Sequence, residues 1–324
     1  MLPIDTSDLQ NKKNLLAFSG GVDSSALFFL LLEHHIPFDI AIVDYGTRAQ
    51  SKKEMAHAQA LAQKYGLKCY TTKAPEFQSH FEANARTFRY SFFESLMKEH
   101  NYNNLLTAHQ LNDQLEWMLM RLSKGAGICE LIGLEPVSKR EGYTLVRPLL
   151  SYNKEELLGY LKHHHYPYFV DESNTDEQYE RNHFRKYFSD PFIAQYKEGI
   201  KRSFEYLRKD KEALEKTFET VYAEKELRII KLHSPTAKAK ATDLTLKMLG
   251  YLLSSSQRQE IEKEESLVIG GKWAVELQNG LLYVAPYSTV DMPKKFKEQC
   301  RILKIPHKIR AYCFAEKIEI QNLP

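Results

Sequence analysis

The chain has 324 residues, of which 43% are hydrophobic and 27% charged, so it can form two or three domains with apolar cores. No stretch approaches the roughly 20 apolar residues of a membrane span, and the polar N-terminus lacks a signal-peptide core. The four cysteines are scattered, without a Cys-x-x-Cys pair, which is typical of a reducing compartment. We therefore expect a cytoplasmic protein without membrane attachment.

Strand and helix patterns alternate through the first half of the chain. The predicted strands are 14–18, 38–44, 68–72 and 105–108. The predicted helices are 24–35, 51–65, 83–100 and 112–124. This alternation predicts an α/β domain over residues 1–191, with a doubly wound parallel sheet. Ligands of such sheets bind at the carboxyl ends of the strands.

Beyond Pro191, a plausible boundary, the pattern changes. A charged helical pattern covers 196–231 and another helix 242–254, which predicts a helical segment over 192–255. Alternating strand patterns follow at 266–270, 273–278 and 281–284, and Asn279-Gly280 is a strong hairpin signal. We therefore expect a small α+β domain over 256–324.

Basic charge is concentrated in this second half. Residues 193–255 contain 13 Lys or Arg and nine Asp or Glu, and residues 291–310 contain seven and two. This excess indicates a polyanionic partner, with a solvated helical surface as the alternative.

A Gly-rich loop, Ser19 to Ser25 (SGGVDSS), lies between the first predicted strand and the first helix. Two glycines, free N–H groups and a helix N-terminus favour bound phosphate, and the serines add hydroxyl donors. Asp23 or Ser24 could cap the helix. An acid beside phosphate also suggests a cation, so Asp23 is a candidate Mg²⁺ ligand.

Three polar residues, His109, Asp113 and Glu116, share one helix face if that helix begins near His109. They follow the strand at 105–108. Two acids a turn apart repel each other unless a cation lies between them, and either Mg²⁺ or a substrate ammonium would serve. The alternative is a polar outer face of the helix.

Two arginine groups could bind phosphate through the planar guanidinium. One is Arg86 and Arg89 on the 83–100 helix. The other is the cluster Arg181, Asn182 and Arg185. Taken alone, residues of this kind are more often surface residues than phosphate ligands.

With these motifs together, the chain resembles the bacterial tRNA(Ile)-lysidine synthetases of the PP-loop ATP pyrophosphatase superfamily. The resemblance covers roughly residues 14–190 and rests on motifs in the family's order. These are Ser19–Ser25, 43–48 (VDYGTR), Arg86-x-x-Arg89-Tyr90, 107–116 (TAHQLNDQLE), 121–127, Arg147-Pro148-Leu149, 171–176 (DESNTD) and Arg181-Asn182-x-x-Arg185. Three positions depart from it: Tyr45 replaces a common His, Asn112 a common Asp, and Trp117 the usual Thr.

The resemblance implies an enzyme that uses ATP and Mg²⁺ to adenylate the wobble cytidine of CAU-anticodon tRNA(Ile), and then joins free L-lysine to C2 of that base. Ser19, Gly20, Gly21, Asp23, Ser24 and Ser25 would bind ATP, with Asp23 holding the metal. Asp23, His109 and Arg89 would be catalytic, and Asp113 and Glu116 would bind lysine. Arg86, Arg181, Asn182 and Arg185 would contact AMP or tRNA.

Two alternatives have other functions. One is a tRNA thiolase of the same superfamily, against which the unpaired cysteines argue. The other is a non-catalytic RNA-binding protein, against which the retained charged motifs argue. The sequence leaves the oligomeric state open, a homodimer being one option.

Overall fold

The computed structural model describes residues 2–46, 49–77, 79, 81–170 and 180–324. The chain divides into two compact units, Met1–Leu207 and Arg208–Pro324. Within the described residues, no helix combines the length and the apolar character needed to cross a bilayer.

The first unit contains one six-stranded sheet with helices on both faces, as predicted. Its strands are β1 (Asn14–Ala17), β2 (Phe38–Asp44), β3 (Cys69–Lys73), β4 (Asn104–Leu106), β5 (Val137–Arg140) and β6 (Tyr143–Val146). Its helices are α1 (Val22–Glu33), α2 (Ala49–Tyr65), α3 (Phe81–His100), α4 (Leu111–Leu122), α5 (Ile128–Ile132), α6 (Lys154–His163) and α7 (Glu180–Phe184). Helix α8 (Asp190–Glu215) begins in this unit, and its last residues belong to the second. A π-helical turn, Arg185–Ser189, joins α7 to α8.

The strand order is β3-β2-β1-β4-β6-β5, parallel except for the edge strand β5. Each central strand is buried on both faces. Leu15 packs with α3, whereas its neighbour Leu16 packs with α1 and α6. After β1 the chain forms β2 and β3 on one side of that strand, and it then crosses to β4 on the other side. Because the direction of winding reverses between β1 and β4, the crevice at the carboxyl ends of these two strands is the expected ligand site.

Helix α4 is held from two sides. Leu111 and Leu115 pack against Ile193, Ile200 and Phe204 of α8. On the other side, Nε1 of Trp117 donates a hydrogen bond of 2.8 Å to the carbonyl of Glu130 in α5. Trp117, a departure from the family pattern, therefore fixes the short helix that follows α4.

The second unit contains a five-stranded antiparallel sheet with the order β7-β8-β11-β10-β9. Its strands are β7 (Phe218–Glu224), β8 (Leu227–Leu232), β9 (Ser266–Ile269), β10 (Trp273–Gln278) and β11 (Leu281–Pro286). Its helices are α9 (Lys238–Met248), α10 (Ser255–Lys263), α11 (Lys294–Ile302) and α12 (His307–Ala315). Successive strand residues enter opposite cores: α9 and α10 cover one face, and α11 and α12 the other.

The second half partly corrects the sequence prediction. The hairpin at Asn279-Gly280 is confirmed between β10 and β11. The helix over 196–231 is wrong beyond Glu215, because β7 and β8 pair with each other and β8 pairs with β11. Pro191 is not a boundary, because it is the second residue of α8 and the π turn leads directly into that helix. The predicted middle segment 192–255 is divided between the two units.

The contact between α4 and α5 predicts an unusually costly substitution at Gly133. This glycine has φ +56°, and a Cβ there would lie 1.8 Å from Nε1 of Trp117. We expect Gly133→Ala to destabilise the first unit by more than the roughly 1–3 kcal/mol of ordinary overpacking, because backbone strain adds to the clash. Urea unfolding measures this loss.

Gly125→Ala is the matched control. Gly125 also has positive φ, +74°, but a Cβ there meets nothing within 4 Å. It should therefore cost only the backbone strain, about 1–2 kcal/mol. In the Gly133→Ala background, Trp117→Leu should recover part of the loss. Equal costs at the two glycines would contradict the clash.

Candidate active site

The loop after β1 is built as an anion site. Gly20 has φ +76°, and its carbonyl accepts hydrogen bonds from the hydroxyl of Ser25 (3.1 Å) and the N–H of Phe169 (2.8 Å). The Ser24 hydroxyl donates to the carbonyl of Gly21 at 3.2 Å and lies 3.0 Å from the Ser19 hydroxyl. These bonds fix the loop against the first turn of α1.

The cap of α1 differs from the prediction. The N-cap residue is Gly21, without a side-chain cap, rather than Asp23 or Ser24. Since the first N–H groups of a helix have no partner inside it, they can bind an anion at this end. Ser24 instead accepts a hydrogen bond of 3.2 Å from the N–H of Ser19.

Asp23 is the buried acid of this loop. Its Oδ1 atom is buried and has no hydrogen-bond partner among the described residues. Burial and the charge of Asp113 raise the pKa of Asp23 to about 7, although Lys154 and Arg185 oppose the shift. Such an oxygen fits a hard cation such as Mg²⁺. The described residues contain no cluster of three acidic, His or Cys side chains that could hold a metal ion.

The end of β4 supplies His109. Helix α4 begins at Leu111 with Gln110 as its N-cap, so His109 precedes the helix instead of sharing a face of it with the acids. Nδ1 of His109 lies 2.9 Å from the hydroxyl of Thr107. Burial, helped by the charges of Arg147, Arg181 and Arg86 and opposed by that of Asp113, lowers the pKa of His109 to about 4. At neutral pH the imidazole is therefore uncharged.

Asp113 and Glu116 do lie together, and the cations between them belong to the protein. The guanidinium of Arg181 contacts Oδ1 of Asp113 and donates through Nε to Glu116 at 2.8 Å. Nε of Arg185 donates to the other oxygen of Glu116 at 2.6 Å. The side chain of Glu116 is only 1% exposed. The sequence predicted that Arg181, Asn182 and Arg185 could bind phosphate. The two arginines instead compensate the buried acids, and Asn182 lies between them in the sequence, on α7.

The two carboxylates have opposite pKa shifts. Burial raises the pKa of Asp113, but Arg181, His109 and the N–H of Gln110 outweigh it and hold that pKa below its usual value. Burial dominates at Glu116 and raises its pKa despite Arg185. Asp113 is therefore the firmer negative charge of the pair.

Two site residues had no role in the sequence prediction. Lys154, the first residue of α6, contributes a positive charge that lowers the pKa of Asp23. Phe169 covers the loop from behind: its ring would lie 3.2 Å from a Cβ at Gly20, and its backbone forms a parallel bridge with Gly21. The sequence Asn153-Lys154-Glu155-Glu156 is an ordinary helix start and gives no sign of a binding site. Only the fold shows that Lys154 lies near Asp23.

The α3 arginines lie beside aromatic rings. The guanidinium of Arg86 lies 5.0 Å from the ring centre of Tyr90, and its charge acts on both His109 and Arg147. Arg89 forms a hydrogen bond with Tyr45, the residue at a position where the family commonly has His. Thr47, Arg48 and the predicted motif 171–176 lie outside the described residues.

The basic stretch of the second unit forms part of a folded layer. Cys300, Ile309, Tyr312 and Cys313, from α11 and α12, pack on the sheet. Its cations are partly paired: Lys297 lies 3.0 Å from Asp291 and Arg301 lies 2.7 Å from Glu298. The side chains of Lys294 and Lys295 are exposed and have no partner in the portion of the chain that the structure describes.

Comparison with known proteins identifies the class first. The profile of a family described as a PP-loop domain matches residues 4–190. The U34-tRNA thiolase NcsA of Methanococcus maripaludis has the same fold, with a TM-score of 0.50 and 18% identity over 62% of this chain and 73% of its own. The first unit is therefore a PP-loop domain of an ATP-using enzyme.

Curated relatives then match the whole chain. A tRNA(Ile)-lysidine synthase of Campylobacter jejuni is 46% identical over 317 residues, 97% of this chain and 96% of the relative. One of Helicobacter pylori is 42% identical over 311 residues, 95% of this chain and 91% of the relative. The chain belongs to the tRNA(Ile)-lysidine synthase family.

The raised pKa of Asp23 predicts a pH-dependent stability. Between the unfolded pKa of 3.8 and the folded value of about 7, the folded state binds more protons, so stability falls as pH rises through this window. Asp23→Asn removes this loss. Without metal or nucleotide, the free energy of unfolding of Asp23→Asn should exceed that of the unsubstituted chain by an amount that grows between pH 4 and pH 7. The difference should reach at most about 4 kcal/mol and stay constant at higher pH.

Denaturant unfolding in EDTA at several pH values measures this difference between Asp23→Asn and the unsubstituted chain. Titrations that both variants share, such as that of His109, cancel in the difference. Stability curves that run parallel from pH 4 to pH 8 would show that Asp23 titrates as an ordinary exposed acid.

Proposed function

We propose that this chain uses ATP to join free L-lysine to C2 of the wobble cytidine of CAU-anticodon tRNA(Ile), forming lysidine with release of pyrophosphate and AMP. The observation that carries the proposal is the similarity to tRNA(Ile)-lysidine synthases over 97% of the chain. The charged centre between the ends of β1 and β4 supports it, because it offers donors for phosphate and acids for an amine.

In the first step, O2 of the cytidine attacks the α-phosphorus of ATP, and the bond from that phosphorus to the pyrophosphate oxygen breaks. The first N–H groups of α1 and the hydroxyls of Ser19 and Ser24 suit the leaving pyrophosphate. Asp23 would hold Mg²⁺, which when bound offsets negative charge on the phosphates. Lys154 is a further cation at this end of the sheet.

His109 and Arg89 are the proposed catalytic groups beside Asp23. His109 is neutral, and Thr107 engages its Nδ1, so Nε2 is the atom that can hydrogen-bond the reacting phosphate or the base. Arg89 and Arg86 on α3 suit the phosphate of AMP or the tRNA, in keeping with the planar guanidinium.

In the second step, the ε-amine of lysine attacks C2, the C2–O bond breaks, AMP leaves and the attacking nitrogen loses a proton. Asp113 and Glu116 suit an ammonium of lysine, but guanidiniums already contact both acids. The proposed binding is therefore an exchange. Arg181, with 43% of its side chain exposed against 18% for Arg185, is the cation that a substrate ammonium can replace. The released guanidinium is then available to the AMP phosphate.

The direct test incubates the chain with ATP, radiolabelled lysine and a tRNA(Ile) transcript with a CAU anticodon. Label should enter this tRNA and not a transcript with uridine at the wobble position. Asp23→Asn should form neither AMP nor pyrophosphate. Absence of label from the CAU transcript under conditions where ATP is consumed would contradict the proposal.

The acidic pair gives a second prediction. Asp113→Asn and Glu116→Gln should each raise the KM for lysine or lower kcat by about tenfold or more, because a charged hydrogen bond contributes about 1.5–3 kcal/mol. Pyrophosphate release with tRNA and without lysine should survive better. If both variants lose that release while lysine affinity stays normal, the acids serve only to position the arginines.

The exposed lysines of α11 give a third prediction. We propose that the second unit contacts the tRNA backbone, and we expect Lys294→Gln with Lys295→Gln to lower the salt slope of tRNA affinity by up to about two. Lys263→Gln with Lys272→Gln, from the same unit but outside 291–310, is the matched control. A deletion from Met292 onward would remove α11 and α12 and expose the core beneath them, so it could not separate the effect of the lysine charges from a loss of folding. An unchanged salt slope in Lys294→Gln with Lys295→Gln would indicate that these lysines form only a solvated surface.

A further inference from the structure

An aromatic stripe, Phe188, Phe192 and Tyr196, runs along the π turn and the first turns of α8. Its side chains follow each other at spacings of four residues. The backbone is π-helical at Phe188 and kinked at Tyr196 (φ −127°, ψ 22°), and a direct ring contact keeps Tyr196 beside Phe192. Phe188 and Phe192 are each 48% exposed and Tyr196 is 54% exposed. The rings of Phe192 and Tyr196 lie 5.1 Å apart. A different face of α8, with Ile193 and Ile200, provides the packing against α4.

The composition of this surface is unusual. Between residues 180 and 207, every exposed large hydrophobic side chain is aromatic: Tyr187, Phe188, Phe192, Tyr196 and Tyr206. The ammonium of Lys186 lies 5.1 Å from the ring centre of Tyr187. Aromatic rings mixed with cations are the combination that binds unpaired nucleic acid, because every base has a face that can stack and every nucleotide has a phosphate.

The stripe continues directly from the charged centre. Phe188 shares its π turn with Arg185, which donates to Glu116. Phe188 and Tyr196 are eight residues apart, which would be about 12 Å in an ideal α-helix and is less across the π turn. Stacked bases of one strand are about 3.4 Å apart, so the stripe has room for about three base steps. A base held at the charged centre would therefore have its unpaired neighbours within reach of these rings.

We propose that the aromatic stripe stacks the unpaired bases next to the reacting cytidine in the tRNA anticodon loop. This proposal rests on the proposed function, which supplies the tRNA. It assigns the stripe to base faces and leaves the phosphate contacts to the cations. It therefore gives the first unit a binding surface for the loop that is separate from the charge of the second unit.

The test uses an isolated anticodon stem-loop with 2-aminopurine beside the wobble position. Stacking on the stripe should change its fluorescence. The triple variant Phe188→Leu, Phe192→Leu and Tyr196→Leu keeps an apolar surface and removes all three rings of the stripe. It should weaken stem-loop binding by about 5- to 140-fold for each stacked base and abolish the fluorescence change, without altering the salt slope.

Two further variants serve as controls. Phe192→Tyr with Tyr196→Phe keeps both rings and should bind the stem-loop as the unsubstituted chain does. Tyr206→Leu removes an aromatic side chain of the same helix, 62% exposed and outside the stripe, and should change nothing. The KM for ATP should be the same in every variant, which separates lost stacking from a damaged site.

Stem-loop affinity that survives in the leucine variant would overturn the proposal. A concentration-dependent dimer that Phe192→Lys with Tyr196→Lys dissociates would assign the stripe to a second copy of the chain instead. The stem-loop assay stands apart from lysine transfer. If the unsubstituted chain places label in tRNA but the leucine variant binds as tightly, stacking fails and the proposed function stands. If no label enters tRNA, the proposed function fails, and the fluorescence still decides the stacking.

Discussion

The structure of the site depends on the compensation of buried negative charge. Asp23 lies in the first turn of α1, Asp113 and Glu116 lie at the start of α4, and each loses water beside the ends of β1 and β4. Lys154, Arg181 and Arg185 provide the matching positive charge from α6, α7 and the π turn. Because removing one partner of a buried ion pair costs about 3–5 kcal/mol, these segments are tied to the sheet by electrostatics as well as by packing.

This compensation also shapes what the site can bind. The positive and negative charges of this centre already balance. A ligand cation can therefore bind only if an arginine or lysine of the centre moves away from the acids, or if the ligand brings its own negative charge. Lysine with its carboxylate, and Mg²⁺ with a polyphosphate, both meet that condition. Arg181, more exposed than Arg185, is the partner that can leave at least cost in burial. The arginines thus make ligand binding an exchange between partners.

The sequence predicted those parts whose signals are local. The loop Ser19–Ser25, the strands β1 and β4 and the hairpin at Asn279-Gly280 each combine a turn signal with an apolar run. It failed for β7 and β8, where alternating charges imitate a solvated helix and the stabilising partner β11 lies some 50 residues further on. It also left open which cation lies between Asp113 and Glu116, since that depends on segments separated by about 65 residues.

Asn112 shows how a departure from a family pattern can be read from its neighbours. Its amide nitrogen donates to Oδ1 of Asp190 at 2.6 Å, and its oxygen accepts from the N–H of Lys154 at 3.2 Å. One buried side chain thus joins α4 to the start of α6 and the start of α8. An aspartate would satisfy Lys154 equally well, but it would face the carboxylate of Asp190 without a proton to donate. With Asp190 in place, the amide is the group that serves both contacts, and it keeps another negative charge away from a centre already balanced.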